Sequence, residues 1–99
     1  MKKYCLIADE LRIGDTEVFG DLIGDSHHDE IKGCGYIHFD HKNKNTYFYG
    51  STPFYINASI DMLKKVKNNG YYSPTLQGYK WFYSSSHELG NLSNYTEIV

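Results

Sequence analysis

Residues 33–50, GCGYIHFDHKNKNTYFYG, constrain the rest of the chain more than any other stretch. Two runs, 36–40 and 46–49, are rich in aromatic and β-branched residues, and a Lys/Asn-filled turn separates them. Such runs, bounded by glycines, predict a β-hairpin. Side chains alternate along a strand, so Tyr36, His38 and Asp40 share one face, and Ile37 and Phe39 share the other. Ten tyrosines and only two alanines, Ala8 and Ala58, extend that bias to the whole chain. Rings pack well on a pleated surface and lose rotamer freedom in a helix.

In chain order, residues 3–8 (KYCLIA) form an apolar run suited to an interior strand. Gly-Asp turn signals follow at 14–15, 20–21 and 24–25, and the alternation of residues 16–19 (TEVF) predicts a short second strand between the first two. Asp25 or Ser26 is placed to cap a single helical turn through 28–32. Pro53 ends the sheet run after Gly50. Residues 58–68 form the main helix, capped by Asn57 or Ser59 and stopped at Gly70, with Ile60, Leu63 and Val66 as its apolar stripe and Met62 beside it. Residues 79–83 (YKWFY) form another strand and 94–99 a final edge strand. The order β-β-β-β-α-β-β describes one α+β domain over residues 1–99. Its expected form is a small antiparallel sheet of five to six strands with one main helix on one face.

A net charge of −2 with Arg12 as the sole arginine disfavours nucleic acid as a partner, because phosphate binding draws on Lys and Arg. Base stacking on an aromatic sheet is a minority alternative, since no RNP-type pattern is present. No run is long enough to span a bilayer, so no membrane association is expected. No secretory leader is recognisable, and Cys5 and Cys34 have no metal-type spacing. The expectation is a cytoplasmic protein with reduced thiols and no cofactor.

Three groups of side chains carry chemistry. Asp25, His27, His28 and His41 have the donor types for a first-row metal if the 24–35 loop folds onto the hairpin; exposed histidines in an acidic loop are the alternative. Lys44, Thr52 and the amides near Ser59 are candidates to hold an anion. The third is a recognition surface. Tyr36, Tyr47, Tyr49, Tyr55, Tyr71, Tyr72, Tyr79, Trp81 and Tyr83 exceed what a small core needs, and exposed Tyr and Trp give rigid contact area; Tyr36, His38, Tyr47, Tyr49, Tyr55, Trp81 and Tyr83 are the expected contacts. The strand edges at 79–83 and 94–99 leave a homodimer open.

The segment 33–50, followed by STPFYI, a helix and YKWFY, resembles the phosphohistidine phosphatase (Janus) family over residues 33–83. Gly33, Gly35, Tyr49, Gly50, Thr52 and Tyr55 carry the match, and His28-Asp29-Glu30-Ile31 resembles the setting of the family's catalytic histidine. The resemblance implies a phosphatase with His28 as its catalytic residue. Against that pattern, Tyr36 stands where the family has Arg, Ile56 stands where it has Gly, and no helix separates His28 from Gly33.

Together these features lead to the expectation of a non-enzymatic binding or inhibitor-type protein. It would use its aromatic sheet face and acidic His loop to bind a protein or a small anionic ligand. The Lys/Asn/Tyr/Ile-rich composition is what an AT-rich genome produces, phage genomes included, so inhibition of a host protein is one version. The phosphohistidine phosphatase-like enzyme is the alternative.

Overall fold

In the computed structural model, which describes residues 2–99, six strands form one open sheet. β1 (Lys3–Ile7) and β2 (Glu10–Gly14) make a first hairpin. Its two-residue turn places Ala8 at φ 54°. A short helix, α1 (Gly20–Ile23), and a 3-10 turn (His28–Glu30) lead into the long β3 (Ile31–Asp40), which turns into β4 (Asn45–Tyr49). The main helix α2 (Ile60–Asn69) then crosses to β5 (Lys80–Tyr83), and the chain closes with β6 (Thr96–Ile98).

The strand order is β2-β1-β3-β4-β5-β6, and every pairing is antiparallel except β4 with β5. The fold is α+β, with one main helix, and its sheet is mixed rather than wholly antiparallel. Parallel neighbours need a crossover connection, and α2 supplies it. The second strand also differs from expectation. It lies at Glu10–Gly14, directly opposite β1, while residues 16–19 carry Phe19 down onto the sheet face remote from α2.

The helix follows its sequence pattern closely. Ser59 Oγ accepts the Met62 N–H at 3.2 Å, and Gly70, in the left-handed region at φ 77°, donates its N–H to Val66 O. Leu63 and Val66 are buried against the sheet, with Ile60 and Met62 half-buried beside them. Beneath them Phe48 packs between Tyr4 and Trp81, at ring separations of 5.1 and 5.0 Å. Lys67 Nζ donates to Ile98 O at 2.8 Å, tying the helix end to β6. Truncating a fully buried Leu63 to Ala would cost about 2–5 kcal/mol.

The other sheet face is covered in two pieces. Phe19 and Ile23 of the α1 region cover Cys5, Ile7, Ile31 and Cys34. Residues 84–95 return over the β4–β5 side, where Tyr95 meets Tyr47 edge-on at 5.3 Å and donates its hydroxyl to Leu89 O at 2.7 Å. β5 is therefore an interior strand, not an edge. Of the two real edges, β2 is covered where the Leu11 N–H donates to Tyr71 O, and β6 is three residues long. Among the described residues no helix is long and apolar enough to cross a membrane.

Candidate functional site

The site is built on the segment that leaves β4 at Gly50. That glycine has φ +82°, and a Cβ there would come 2.4 Å from the Tyr36 ring. The segment then folds into a tethered loop. The Thr52 N–H donates to Asn57 Oδ1 at 3.3 Å, and Thr52 Oγ1 accepts the Phe54 N–H at 3.2 Å. The Cys34 N–H on β3 donates to Ile56 O at 2.9 Å. These bonds consume the loop's inward polar groups and turn two large apolar side chains outward: Phe54 is 82% exposed and Ile56 60%.

Across from Phe54 lies Val18, 55% exposed. Between them opens a cleft of about 450 Å³ whose floor is Phe19, Tyr36 and Tyr55. Phe19 meets Tyr36 at 5.7 Å and Tyr55 at 6.0 Å, both edge-on. Lys3 lies over the Phe19 and Tyr36 rings, 5.7 and 5.9 Å from their centroids, and donates to Thr16 O. A second cleft of about 240 Å³ adjoins the first through Phe54 and Tyr55 and is lined also by His28, Ile31, Pro53 and Ile56. Of the acidic loop before β3 only His28 lines this cleft; within the loop the Glu30 carboxylate accepts the His27 N–H at 2.9 Å.

The structure gathers some of the residues singled out from sequence and disperses others. Tyr36, Thr52 and Tyr55 meet at the larger cleft, and His28 meets Tyr55 at the smaller one. Thr52 is buried and serves the loop's own hydrogen bonds. His38, Tyr47 and Tyr49 share the sheet face on which Tyr36 lies: Tyr36 packs on Tyr49 at 5.8 Å and His38 on Tyr47 at 6.1 Å. Tyr47 and Tyr49 are buried, Tyr47 by stacking on Phe82 at 5.1 Å and by Tyr95, so they support the surface from below. Burial raises the Tyr49 pKa above its ordinary value.

Trp81 and Tyr83 fall on the opposite, helix-covered face. Trp81 is wholly buried and offers no surface contact, whereas Tyr83 is half-buried and its hydroxyl donates to Ala58 O at 2.9 Å. Parallel pairing with β4 places Trp81 beside Thr46 and directs both inward. Lys44 sits in the β3–β4 turn at φ 55°, at the end of β4 remote from Thr52, so the two cannot hold one anion. His41 is likewise in that turn, bonded through Nδ1 to the Tyr79 hydroxyl at 2.7 Å and stacked on Phe39. The whole of β3, about 30 Å by strand rise, separates it from Asp25, His27 and His28. Among the described residues no group of three His, Cys, Asp or Glu side chains is placed to hold a metal ion.

Val18, Phe19, Phe54 and Ile56 were not among the residues expected to form the site. The available signal was S-T-P-F-Y-I itself, in which Pro53 stops the strand and leaves apolar side chains without a periodic element to bury them. Compared with family models, curated proteins and solved structures, the chain finds no match in any of the three.

Proposed function

We propose that this chain is a non-enzymatic binding protein that docks a partner protein at the Val18–Phe54–Ile56 surface. The observation that carries the reading is the clustering of exposed apolar side chains. Of the five large exposed hydrophobic residues among those described, three border the two adjoining clefts, and the loop that presents two of them is held by its own hydrogen bonds. A contiguous apolar patch with a polar rim is the usual mark of a docking site. Preorganisation of the loop lowers the ordering cost of association. Glu17 at the larger cleft, with Asp25, Asp29 and Glu30 nearby in sequence, favours a partner whose apolar anchor is ringed by Lys or Arg. A protein is favoured over a small anionic ligand because Lys3, the one cation among the described residues that line the larger cleft, is engaged with two rings and a carbonyl.

The test is site-specific photocrosslinking in extract of the source cells, with the photoreactive residue at position 54 and, as control, at position 43 in the hairpin turn. A discrete heterologous adduct from position 54 alone supports the reading. Equal adducts from both positions, or an adduct only to a second copy of the chain, would sink it.

A further inference from the structure

The cysteines, 29 positions apart in sequence, are direct partners in the β1–β3 ladder, and both are wholly buried. Their Sγ atoms lie 2.8 Å apart. The ladder geometry explains the approach. The Cys34 N–H is directed to Ile56 O, away from β1, so Cys5 and Cys34 form a non-hydrogen-bonded antiparallel pair. In such pairs the Cα atoms are about 4.5 Å apart and the side chains are closest. Disulfides span Cα separations of roughly 4.4–6.8 Å, so the backbone need not move for a bond to close.

We infer that Cys5 and Cys34 are a disulfide-forming site, oxidised by exchange with a low-molecular-weight disulfide such as glutathione disulfide. The Cys34 thiolate attacks one sulfur of glutathione disulfide, whose S–S bond breaks and releases one glutathione thiolate. Cys5 gives up its proton to that thiolate and attacks Cys34 Sγ, and the second glutathione leaves. Two protein thiols are thereby oxidised by two electrons, and one glutathione disulfide is reduced to two glutathiones. The two steps are symmetric in the protein sulfurs, and Cys5 can equally make the first attack. Because neither sulfur is accessible in the folded chain, exchange takes place while β1 is detached from β3, and docking of β1 then presents Cys5 to Cys34.

The test refolds the full chain in a glutathione/glutathione disulfide buffer and, separately, in a non-thiol reductant. Each sample is acid-quenched, denatured, alkylated with N-ethylmaleimide and weighed. The expected oxidised product is monomeric, lighter than the reduced chain by two hydrogen masses, and takes up no maleimide. Its digest links the peptides that contain Cys5 and Cys34. Two maleimide adducts, a retained glutathione or a covalent dimer after refolding in the oxidising buffer would overturn the inference. In urea the oxidised chain should show a midpoint higher by about 1–2 M, as expected for closing a loop of this length. An equal or lower midpoint would overturn the claim that the native backbone already has the bonded geometry.

Discussion

Thr46 and Trp81 face one another across the parallel β4–β5 pair, both wholly buried, and neither the threonine hydroxyl nor the indole N–H has a hydrogen-bond partner among the described residues. A buried polar group without a partner costs about 1–3 kcal/mol. Thr46→Val keeps the shape and removes the hydroxyl. It is expected to raise the unfolding free energy by about 1 kcal/mol in urea titration. A loss of stability would mean that the hydroxyl is satisfied in solution.

Gly33→Ala is expected to destabilise the fold by about 1–3 kcal/mol through overpacking. A Cβ at position 33 would lie 2.6 Å from Ala58 Cα and 2.8 Å from both its Cβ and its N. Two of those three atoms are backbone, so Ala58→Gly should not rescue the variant. Rescue in the double-mutant cycle would show that the 56–58 segment can lift away from β3.

Alkali is expected to unfold the protein over a defined range. Burial raises the Tyr4, Tyr49 and Tyr83 pKa values, and Tyr95, first by burial and then by its neighbours Tyr49 and Tyr47, is pushed up to about 12. In the unfolded chain these phenols ionise near 10. Folded values above unfolded ones mean a contribution fully present below pH ~10 and lost as pH rises through the folded values. Urea midpoints should therefore fall between pH ~10 and 12, less steeply in Tyr95→Phe. A flat profile would contradict the burial of these rings.

Phosphate release from a phosphohistidine peptide is expected to be absent, in the intact protein and in His28→Ala, with or without chelator. The cleft holding His28 is lined otherwise by Ile31, Pro53, Phe54, Tyr55 and Ile56, with no Lys or Arg among the described residues that line it to draw a phosphate in. Turnover that vanished in His28→Ala would instead make the resemblance around Gly33 and Gly35 functional.

What could be read ahead of the structure was local. The α2 stripe of Ile60, Leu63 and Val66, its Ser59 cap and its Gly70 stop are all specified within a dozen residues, and the β3–β4 hairpin is specified by its own alternation. The β1–β2 turn was not legible, because Ala8-Asp9 is not one of the glycine-containing pairs that signal a two-residue hairpin, and Ala8 takes a left-handed conformation that alanine rarely adopts. Residues 16–19 alternate as a strand would, yet Phe19 is spent on Tyr36 and Tyr55. The face on which Trp81 lies depends on parallel pairing with β4, and the meeting of Cys5 with Cys34 depends on β1–β3 register. Both are non-local facts. The outward display of Phe54 and Ile56 likewise comes from bonds to Thr52, Asn57 and Cys34 rather than from any periodicity.

The single parallel pair has a consequence for how the chain is made. Four of the six strands, β2-β1-β3-β4, are encoded in the first 49 residues and pair with one another without any contribution from the C-terminal half. Their apolar face, with Tyr4, Leu6, Ile37 and Phe48, stays bare until α2 has been synthesised and has carried Trp81 back to the β4 edge. A chain that has formed only these four strands would present an open strand edge and an uncovered core. A nascent chain whose first 50 residues have left the ribosome while α2 is still inside it would be the most chaperone-dependent form of this protein.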